Sequence, residues 1–216
     1  MGEQKERVPP SGCALCPRLA AFRQTNRSCF PDFFNAPVPA FGGAGARLLI
    51  VGLAPGLKGA NRSGRPFTGD YAGELLYPTL DKFGLSRGRY DARPDDGLAL
   101  VDCRITNAVR CVPPENKPTT VEIKTCLPFL EAELAELGGL RALLALGTIS
   151  HGAILSAYDL RKAAYPFGHG AVHALPNGLR LFDSYHCSRY NVNTRRLTPA
   201  MFEAVFEELT SYLATA

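Results

Sequence analysis

The sequence of 216 residues has no apolar run long enough to cross a membrane, and its first residues lack the apolar stretch of a secretory signal peptide. It has no internal repeat and no low-complexity tract. Charge of one sign is not abundant either, since 24 Lys and Arg face 20 Asp and Glu, a net charge of +4. We therefore expect a cytoplasmic protein without membrane contacts, whose mild positive charge permits contact with phosphate without requiring it.

Seven cysteines in a chain without a secretory signal argue against a disulfide scaffold, because the cytosol keeps thiols reduced. Cys13 and Cys16 are close enough in sequence to hold one metal centre, whereas Cys111 and Cys126 follow much later. This spacing suits a zinc site poorly, since such sites usually show two close pairs. An iron–sulfur cluster accepts ligands from scattered segments. Unrelated buried thiols and a redox-active Cys13–Cys16 pair are the alternatives.

Apolar runs alternate with segments of helical periodicity along the chain. The runs are typical of parallel strands buried on both faces, and they cover residues 47–54, 104–109, 142–146 and 179–185. The helical patterns cover roughly residues 71–83, 119–137, 148–158 and 199–213. This alternation predicts one α/β domain over residues 1–216, with a parallel sheet covered on both faces. We expect residues 1–10 to be frayed and residues 11–46 to form an irregular segment that carries the first two cysteines.

Ligands of such sheets bind beyond the carboxyl ends of the strands, so functional residues are expected in the loops that follow the strands. Residues 52–70 form a loop rich in glycine and proline, whose basic residues suggest contact with phosphate. The loop has neither the phosphate-binding motif of nucleotide hydrolases nor the dinucleotide fingerprint. After the last strand, His186 is followed by basic and aromatic residues, a composition typical of a nucleic-acid surface. A single histidine is more often structural than catalytic, but a place at the carboxyl edge of the sheet favours a functional role.

Four segments together resemble the uracil-DNA glycosylase superfamily. They are Gly-Leu-Ala-Pro-Gly at 52–56, Gly-Arg-Pro-Phe-Thr-Gly-Asp at 64–70, Asn-Ala-Val-Arg-Cys-Val-Pro-Pro at 107–114 and His-Cys-Ser-Arg-Tyr-Asn at 186–191. The resemblance extends from Cys13 to the last helix and is strongest to family 5, the type B enzymes with an iron–sulfur cluster. It implies a three-layer αβα sandwich around a short parallel sheet, and a monomer that acts on DNA. It also implies a [4Fe–4S] cluster bound by Cys13, Cys16, Cys111 and Cys126.

An enzyme of this family extrudes the damaged nucleotide from DNA and hydrolyses the bond between base and sugar, which leaves an abasic site. Phe67 matches the family's aromatic residue that stacks on the extruded base. His186 matches the histidine that donates a hydrogen bond to the base O2, where negative charge develops. The polar edge of the base would be read by Asn107 or by Asn116, and the sequence leaves both open.

The chain departs from better-known branches of the family at Leu53 and Ala54, where those branches carry Asp, Asn or Glu. Neither side chain can orient water or stabilise the sugar cation. Asp70 is the next carboxylate in the same loop and takes this role in our interpretation, the alternative being an N-cap of the helix that begins near residue 71. The departure is typical of the branch with broad base tolerance, so hypoxanthine and other deaminated bases are expected substrates beside uracil.

The remaining expected contacts are assigned in the same way. The residues expected to bind the substrate base are Gly52, Leu53, Ala54, Phe67, Asn107 and Asn116. Those expected to contact DNA are Lys58, Asn61, Arg62, Arg65, Ser188, Arg189, Tyr190 and Asn191. Among them, Arg189 and Tyr190 are candidates for a wedge that fills the gap left by the extruded base. Two other functions remain open: a nucleic-acid-binding protein of the same fold without catalysis, and an iron–sulfur redox protein.

Overall fold

The structure, a computed structural model, describes residues 8–215. The helices are α1 (Pro17–Cys29), α2 (Ala60–Ser63), α3 (Tyr71–Lys82), α4 (Thr120–Glu136), α5 (Thr148–Ala157), α6 (Arg189–Asn193) and α7 (Pro199–Thr215). The strands are β1 (Phe41–Gly42), β2 (Leu48–Gly52), β3 (Ser86–Arg87), β4 (Ala99–Leu100), β5 (Cys103–Asn107), β6 (Ala142–Leu146), β7 (Val172–Ala174) and β8 (Arg180–Ser184). In the described part of the chain, no helix combines the length and apolar character that a membrane span needs.

The main sheet has the strand order β1-β5-β2-β6-β8-β7. Its four central strands run parallel, as the apolar runs predict, whereas the two edge strands are antiparallel to their neighbours. The sequence pattern does not reveal these edge strands, because two or three residues are too few to form an apolar run. A separate pair, β3 and β4, forms a small second sheet.

Successive residues of β2 point to opposite faces of the sheet, and each face packs against helices. Leu48 and Ile50 belong to an apolar cluster with residues of α3 and α7, and Leu49 and Val51 belong to a second cluster with residues of α4 and α5. All four side chains are fully buried, and each such burial stabilises the fold by about 2 kcal/mol. The predicted three-layer αβα sandwich is therefore confirmed.

Local capping sets where two of the helices begin. The Asp70 side chain accepts a hydrogen bond from the backbone N–H of Gly73 at 3.1 Å, which starts α3 at the next residue. Thr119 and Glu122 form a reciprocal capping box at the start of α4. Both helices flank loops that lead to the carboxyl edge of the sheet, so their caps also fix those loops.

The segment 11–46 is more regular than the sequence suggests, and this expectation needs correction. It contains the thirteen-residue helix α1 and the edge strand β1. The helix escapes detection because its buried face consists of Leu19, Arg23 and Asn26, two of which are polar. Arg23 is buried because it donates to the Sγ of Cys111 at 3.3 Å. The expected fraying of residues 1–10 falls mostly on residues 1–7, which lie outside the described residues.

Strand β2 is the point at which the chain changes direction across the sheet. The next central strand, β5, lies on one side of β2, and the chain then crosses to place β6 on the other side. In open α/β sheets, such a switch point leaves a crevice at the carboxyl ends of the strands, where ligands bind.

Candidate active site

A cleft of about 690 Å³ opens at this switch point. Segments that follow all four central parallel strands line it, together with the start of α3. The lining residues include Leu53 and Ala54 after β2, Glu115, Asn116 and Lys117 after β5, Gly147, Thr148 and Ile149 after β6, His186, Ser188, Arg189 and Tyr190 after β8, and Asp70, Tyr71 and Ala72 at α3. A volume of this size suits a small organic ligand.

Gly52, the last residue of β2, lies where three residues with predicted roles meet. It pairs with Asn107 across the sheet. A Cβ atom on this glycine would collide with Oδ1 of Asn107 and lie 2.5 Å from Cζ of Phe67. The Phe67 ring in turn stacks on the ring of His186, with 5.9 Å between their centroids. The absence of a side chain at residue 52 therefore lets an aromatic ring, an amide and an imidazole gather at one strand end.

The ring of His186 is held neutral by its surroundings. Its Nδ1 atom is buried and has no hydrogen-bond partner among the described residues. Burial disfavours the imidazolium and lowers the pKa of His186 to about 4, so the ring is uncharged at pH 7. Asn191 donates from Nδ2 to the backbone carbonyl of His186 at 2.8 Å. This bond fixes the backbone of the histidine, and the expected contact of the partly exposed Asn191 with DNA stays a prediction.

Asp70 lines the same cleft as His186 and also caps α3, so the alternative of an N-cap is confirmed as a structural fact. Burial raises the pKa of the Asp70 carboxyl, and hydrogen bonds from the backbone of Gly73 and Ala72 act in the opposite direction. Room for the carboxylate depends on Gly59, because a Cβ atom there would collide with Oδ2 of Asp70. Capping and a place on the cleft wall are compatible in this geometry.

Phe67 has a left-handed backbone, with φ of +53°. Such a conformation costs a bulky residue about 1–3 kcal/mol and persists only where neighbours impose it. Tyr90 Oη donates to the Phe67 carbonyl at 3.3 Å, and Tyr77 Oη donates to the carbonyl of Pro66 at 2.6 Å. Arg65 Nε donates to Oγ1 of Thr68 at 2.7 Å. These bonds from Arg65, Tyr77 and Tyr90, which we call the loop clamp, hold the stacking ring in place.

Arg65 and Asn61 do not reach the surface, so their expected contacts with DNA are wrong. The Arg65 guanidinium makes two hydrogen bonds of 2.7 Å to the Asp96 carboxylate, and both side chains are nearly fully buried. Asn61 is completely buried and donates to Oδ1 of Asn35 at 2.9 Å. A buried guanidinium with a carboxylate partner cannot also bind phosphate.

Four of the other expected DNA contacts lie where DNA could reach them. Lys58, on the loop after β2, and Arg62, on the short helix α2, are exposed. Arg189 lies over the Tyr71 ring, with 5.3 Å from its Cζ to the ring centroid. Tyr190 is 72% exposed, and both residues belong to the short helix α6 and not to a loop. The fifth expected contact, at position 188, is a serine on the cleft wall whose side chain caps α6.

The segment after β6 also borders the cleft, although no role was predicted for it from the sequence. Gly147, Thr148 and Ile149 line the cleft beside the histidine loop, and Ile149 is 42% exposed. A signal was present, because residues 142–146 are correctly predicted as a strand and the same rule on carboxyl ends applies to it. The loop clamp has no comparable signal, since Tyr77 and Tyr90 are distant in sequence from the loop they hold.

The four predicted ligand cysteines line one small enclosed cavity beside the cleft. Cys13 and Cys16 come from the segment before α1, Cys111 follows β5, and Cys126 belongs to α4. The remaining wall is largely apolar, and it includes Leu19, Val109 and Phe129. Residues far apart in sequence are thus brought together around one cavity, in agreement with the ligand set that the family resemblance implies.

The arrangement of the four thiols suits a group larger than a single ion. Zinc would hold its sulfur ligands about 3.8 Å apart, but among the described residues no three of these sulfurs all lie within 4.8 Å of one another. Burial raises the pKa of Cys16 to about 11 and that of Cys111 to about 12. Thiols of this kind become thiolates only beside a positively charged partner such as a metal group. A buried Arg23 and the backbone N–H of Arg110 already donate to two of the sulfurs.

The sequence profile of the uracil DNA glycosylase superfamily matches residues 39–210. The chain belongs to the uracil-DNA glycosylase superfamily, and within it to the type-5 branch, as its relatives show. A type-5 uracil-DNA glycosylase of Thermus thermophilus is 47% identical over 203 residues, which cover 92% of both chains. Type-5 enzymes of Mycobacterium bovis and Pyrobaculum aerophilum are each 42% identical, over 92% and 86% of this chain and 77% and 82% of their own. The predicted family is confirmed.

Proposed function

We propose that the chain is a monofunctional uracil-DNA glycosylase of base excision repair. It extrudes uracil from DNA and hydrolyses the bond between the base and the sugar, which leaves an abasic site. The observation that carries this proposal is the convergence of Phe67, Asn107 and His186 at the end of β2, where His186 lines a cleft of about 690 Å³ and the other two side chains are buried beside it.

His186 stabilises the departing base in this proposal. As the bond between C1′ and the base nitrogen breaks, negative charge develops on the base O2. A neutral imidazole keeps one N–H, and this N–H can donate a hydrogen bond to that oxygen. Because the ring is largely shielded from water and fixed by its stacking on Phe67, the hydrogen bond is preorganised and strengthens in the transition state.

Asp70 acts on the other side of the breaking bond. Its carboxylate lies on the cleft wall, where it can accept a proton from the attacking water or stabilise positive charge on the sugar. The water oxygen forms the new bond to C1′, and the base leaves with the electron pair of the old bond. Burial raises the pKa of Asp70 and so makes its ionised form a better proton acceptor. Leu53 and Ala54 face the same cleft and offer no competing polar group.

Base recognition falls to Asn107 in preference to Asn116. Asn107 is buried beside the stacking ring, and its amide can accept from uracil N3 and donate to O4. Asn116 is exposed at the rim of the cleft. Leu53 and Ala54 offer no polar group that could select one base over another. This supports our proposal that hypoxanthine and other deaminated bases are also removed.

The cysteines have a structural role in this proposal. Cys13, Cys16, Cys111 and Cys126 would bind a [4Fe–4S] cluster, which supplies iron–sulfur bonds that join α1 and α4 to the end of β5. Ala54 packs against the buried residues Leu19, Val109, Cys111 and Cys126, and it also lines the cleft. The cavity residues therefore support the cleft wall. We further propose that the enzyme acts on DNA as a monomer in the cytoplasm, where thiols stay reduced.

The direct test uses an oligonucleotide with a single uracil, followed by alkali to break the strand at abasic sites. We expect strand breaks with wild-type protein and none with the matching thymine oligonucleotide. The His186→Ala variant, at equal iron content, is the control for a contaminating glycosylase. Binding of the oligonucleotide without strand breaks would favour a non-catalytic DNA-binding protein, and neither binding nor breaks would favour a redox role of the cysteines.

A further inference from the structure

A second group of metal-ligating side chains lies away from the cleft. It consists of His151 on α5, His173 on β7 and Asp183 on β8, whose ligand atoms all lie within 4.8 Å of one another. Among residues 8–215 it is the one group of three or more such residues this close together. Asp183 pairs with Ala145 across the sheet, a residue of the apolar cluster on the side of α4 and α5. None of the three residues lines the cleft or the cysteine cavity.

The polar atoms of this group are only partly satisfied. The Asp183 side chain has no exposed surface, and its Oδ2 atom has no hydrogen-bond partner within residues 8–215. The Nε2 atom of His173 lies 3.4 Å from that oxygen, is buried and also has no hydrogen bond. A buried carboxylate must be compensated by positive charge or by several donors. The ion-pair partners seen for Asp183 in the described chain are these two histidines, and neither is a permanent cation.

The contacts of the two ring nitrogens of His151 show that a positive species lies between its Nδ1 atom and Asp183. Its Nε2 atom lies 2.9 Å from the carbonyl oxygen of Tyr165, which can only accept, so Nε2 carries a proton. In the neutral ring, Nδ1 therefore has a lone pair, yet it lies 2.7 Å from the Asp183 carboxylate. Two lone pairs at this distance repel unless a positive species, either a proton or a metal ion, lies between them. Donation from the outer nitrogen to a backbone carbonyl is the usual arrangement of a metal-binding histidine.

We propose that His151, His173 and Asp183 form a zinc site, with Nδ1 of His151, Nε2 of His173 and a carboxylate oxygen of Asp183 as ligands and water as the fourth. Two imidazoles and one carboxylate are a ligand set that zinc accepts. Ligand atoms around tetrahedral zinc lie about 3.3 Å apart, close to the 3.4 Å between His173 and Asp183. The 2.7 Å between His151 and Asp183 would have to widen by roughly half an ångström.

The site would join α5 to the edge of the sheet. His173 is partly exposed, with 13% of its side chain accessible, so an ion can enter from solvent. Asp183 lies three residues before His186, and a metal at Asp183 would therefore stiffen the strand that carries the histidine loop. This role is structural and does not depend on the proposed glycosylase activity.

The test is a titration of the full-length protein, with its iron content measured, using zinc alone as the probe. We expect wild type to bind one equivalent of zinc more than His173→Gln does, and to gain several degrees in melting temperature on zinc addition. His173→Gln should bind zinc at least about 100-fold more weakly. His169→Gln, a change of a neighbouring histidine outside the group, should keep the extra equivalent.

Cobalt added to wild type provides a readout that does not require the variant to fold. We expect absorption bands of cobalt bound by nitrogen and oxygen, without the intense near-ultraviolet charge-transfer band of a thiolate ligand. A thiolate band would place the metal at the cysteines and overturn the proposal. Equal zinc content in wild type and His173→Gln would also overturn it and would leave a proton between His151 and Asp183 as the explanation.

Discussion

The cysteine cavity and the cleft are neighbours, since Ala54 lines the cleft and packs against the buried residues around Cys111 and Cys126, but the two regions differ in backbone strain. In the cavity, Cys111 and Cys126 accept hydrogen bonds, and apolar side chains surround them. In the cleft, His186 has a buried nitrogen without a partner, and Phe67 keeps a strained backbone. The cavity wall also holds a nitrogen without a partner in the described chain, Nε of Arg23, so the two regions differ in backbone strain, which persists where a function needs it. The comparison assigns stability to the cavity and reactivity to the cleft.

The largest effect that would separate the two regions comes from the cavity. Cys111→Ser should abolish the brown colour of the cluster and greatly lower the yield of soluble protein, because three segments lose their common attachment. Visible absorbance and iron content per chain measure this directly. Cys29→Ser, a change of an exposed cysteine outside the cavity, should retain both. A colourless, zinc-containing wild type would contradict the iron–sulfur assignment.

The pH dependence of the excision rate should reflect the lowered pKa of His186 and the raised pKa of Asp70. Burial keeps His186 neutral down to about pH 4, so lowering the pH through 6.5, where an ordinary histidine gains its proton, should not change the excision rate. At lower pH the rate should fall as Asp70, whose pKa is raised, takes up a proton. Single-turnover rates between pH 4 and 8 measure this. A fall in rate centred near pH 6.5 that the Asp70→Asn variant also shows would indicate that the histidine is not buried as described.

The smallest effect should come from the exposed rim. Tyr190→Ala removes an aromatic side chain that is 72% exposed beside the cleft, so it should slow excision several-fold on duplex DNA and less on single strands. Only the duplex presents a gap to be filled after extrusion. Parallel rate measurements on the two substrates test this, and equal losses on both would count against a wedge.

The sequence predicts the parts of this molecule that depend on local pattern. The fully buried strands β2 and β6 appear as apolar runs, and the helical pattern over residues 119–137 corresponds to α4. The sequence does not reveal α1, because two of the three buried residues of this helix, Arg23 and Asn26, are polar. Nor does it reveal the edge strands, which are too short to form a pattern.

In the candidate site, too, the sequence reveals the residues of local motifs but not the contacts that tertiary packing creates. His186 and Phe67 belong to contiguous motifs; His186 lines the cleft, and Phe67 is buried against it. Arg65 resembles an exposed basic residue in sequence, and only the fold shows that its carboxylate partner comes from a residue 31 positions later. The unsatisfied Nδ1 of His186 and the strain at Phe67 are likewise products of tertiary packing, which no local pattern encodes.

The most direct test of the account compares His186→Ala with Asp70→Asn in single turnover on uracil and on hypoxanthine. Loss of the histidine donor should cost about 3 kcal/mol on uracil, about a hundredfold or more in rate, and a different factor on hypoxanthine, because the two bases differ as leaving groups. Loss of the carboxylate should slow both bases by similar factors, since it acts on the water or the sugar. If Asp70→Asn keeps the full rate and only lowers the melting temperature, Asp70 is a helix cap alone and the proposed mechanism is wrong.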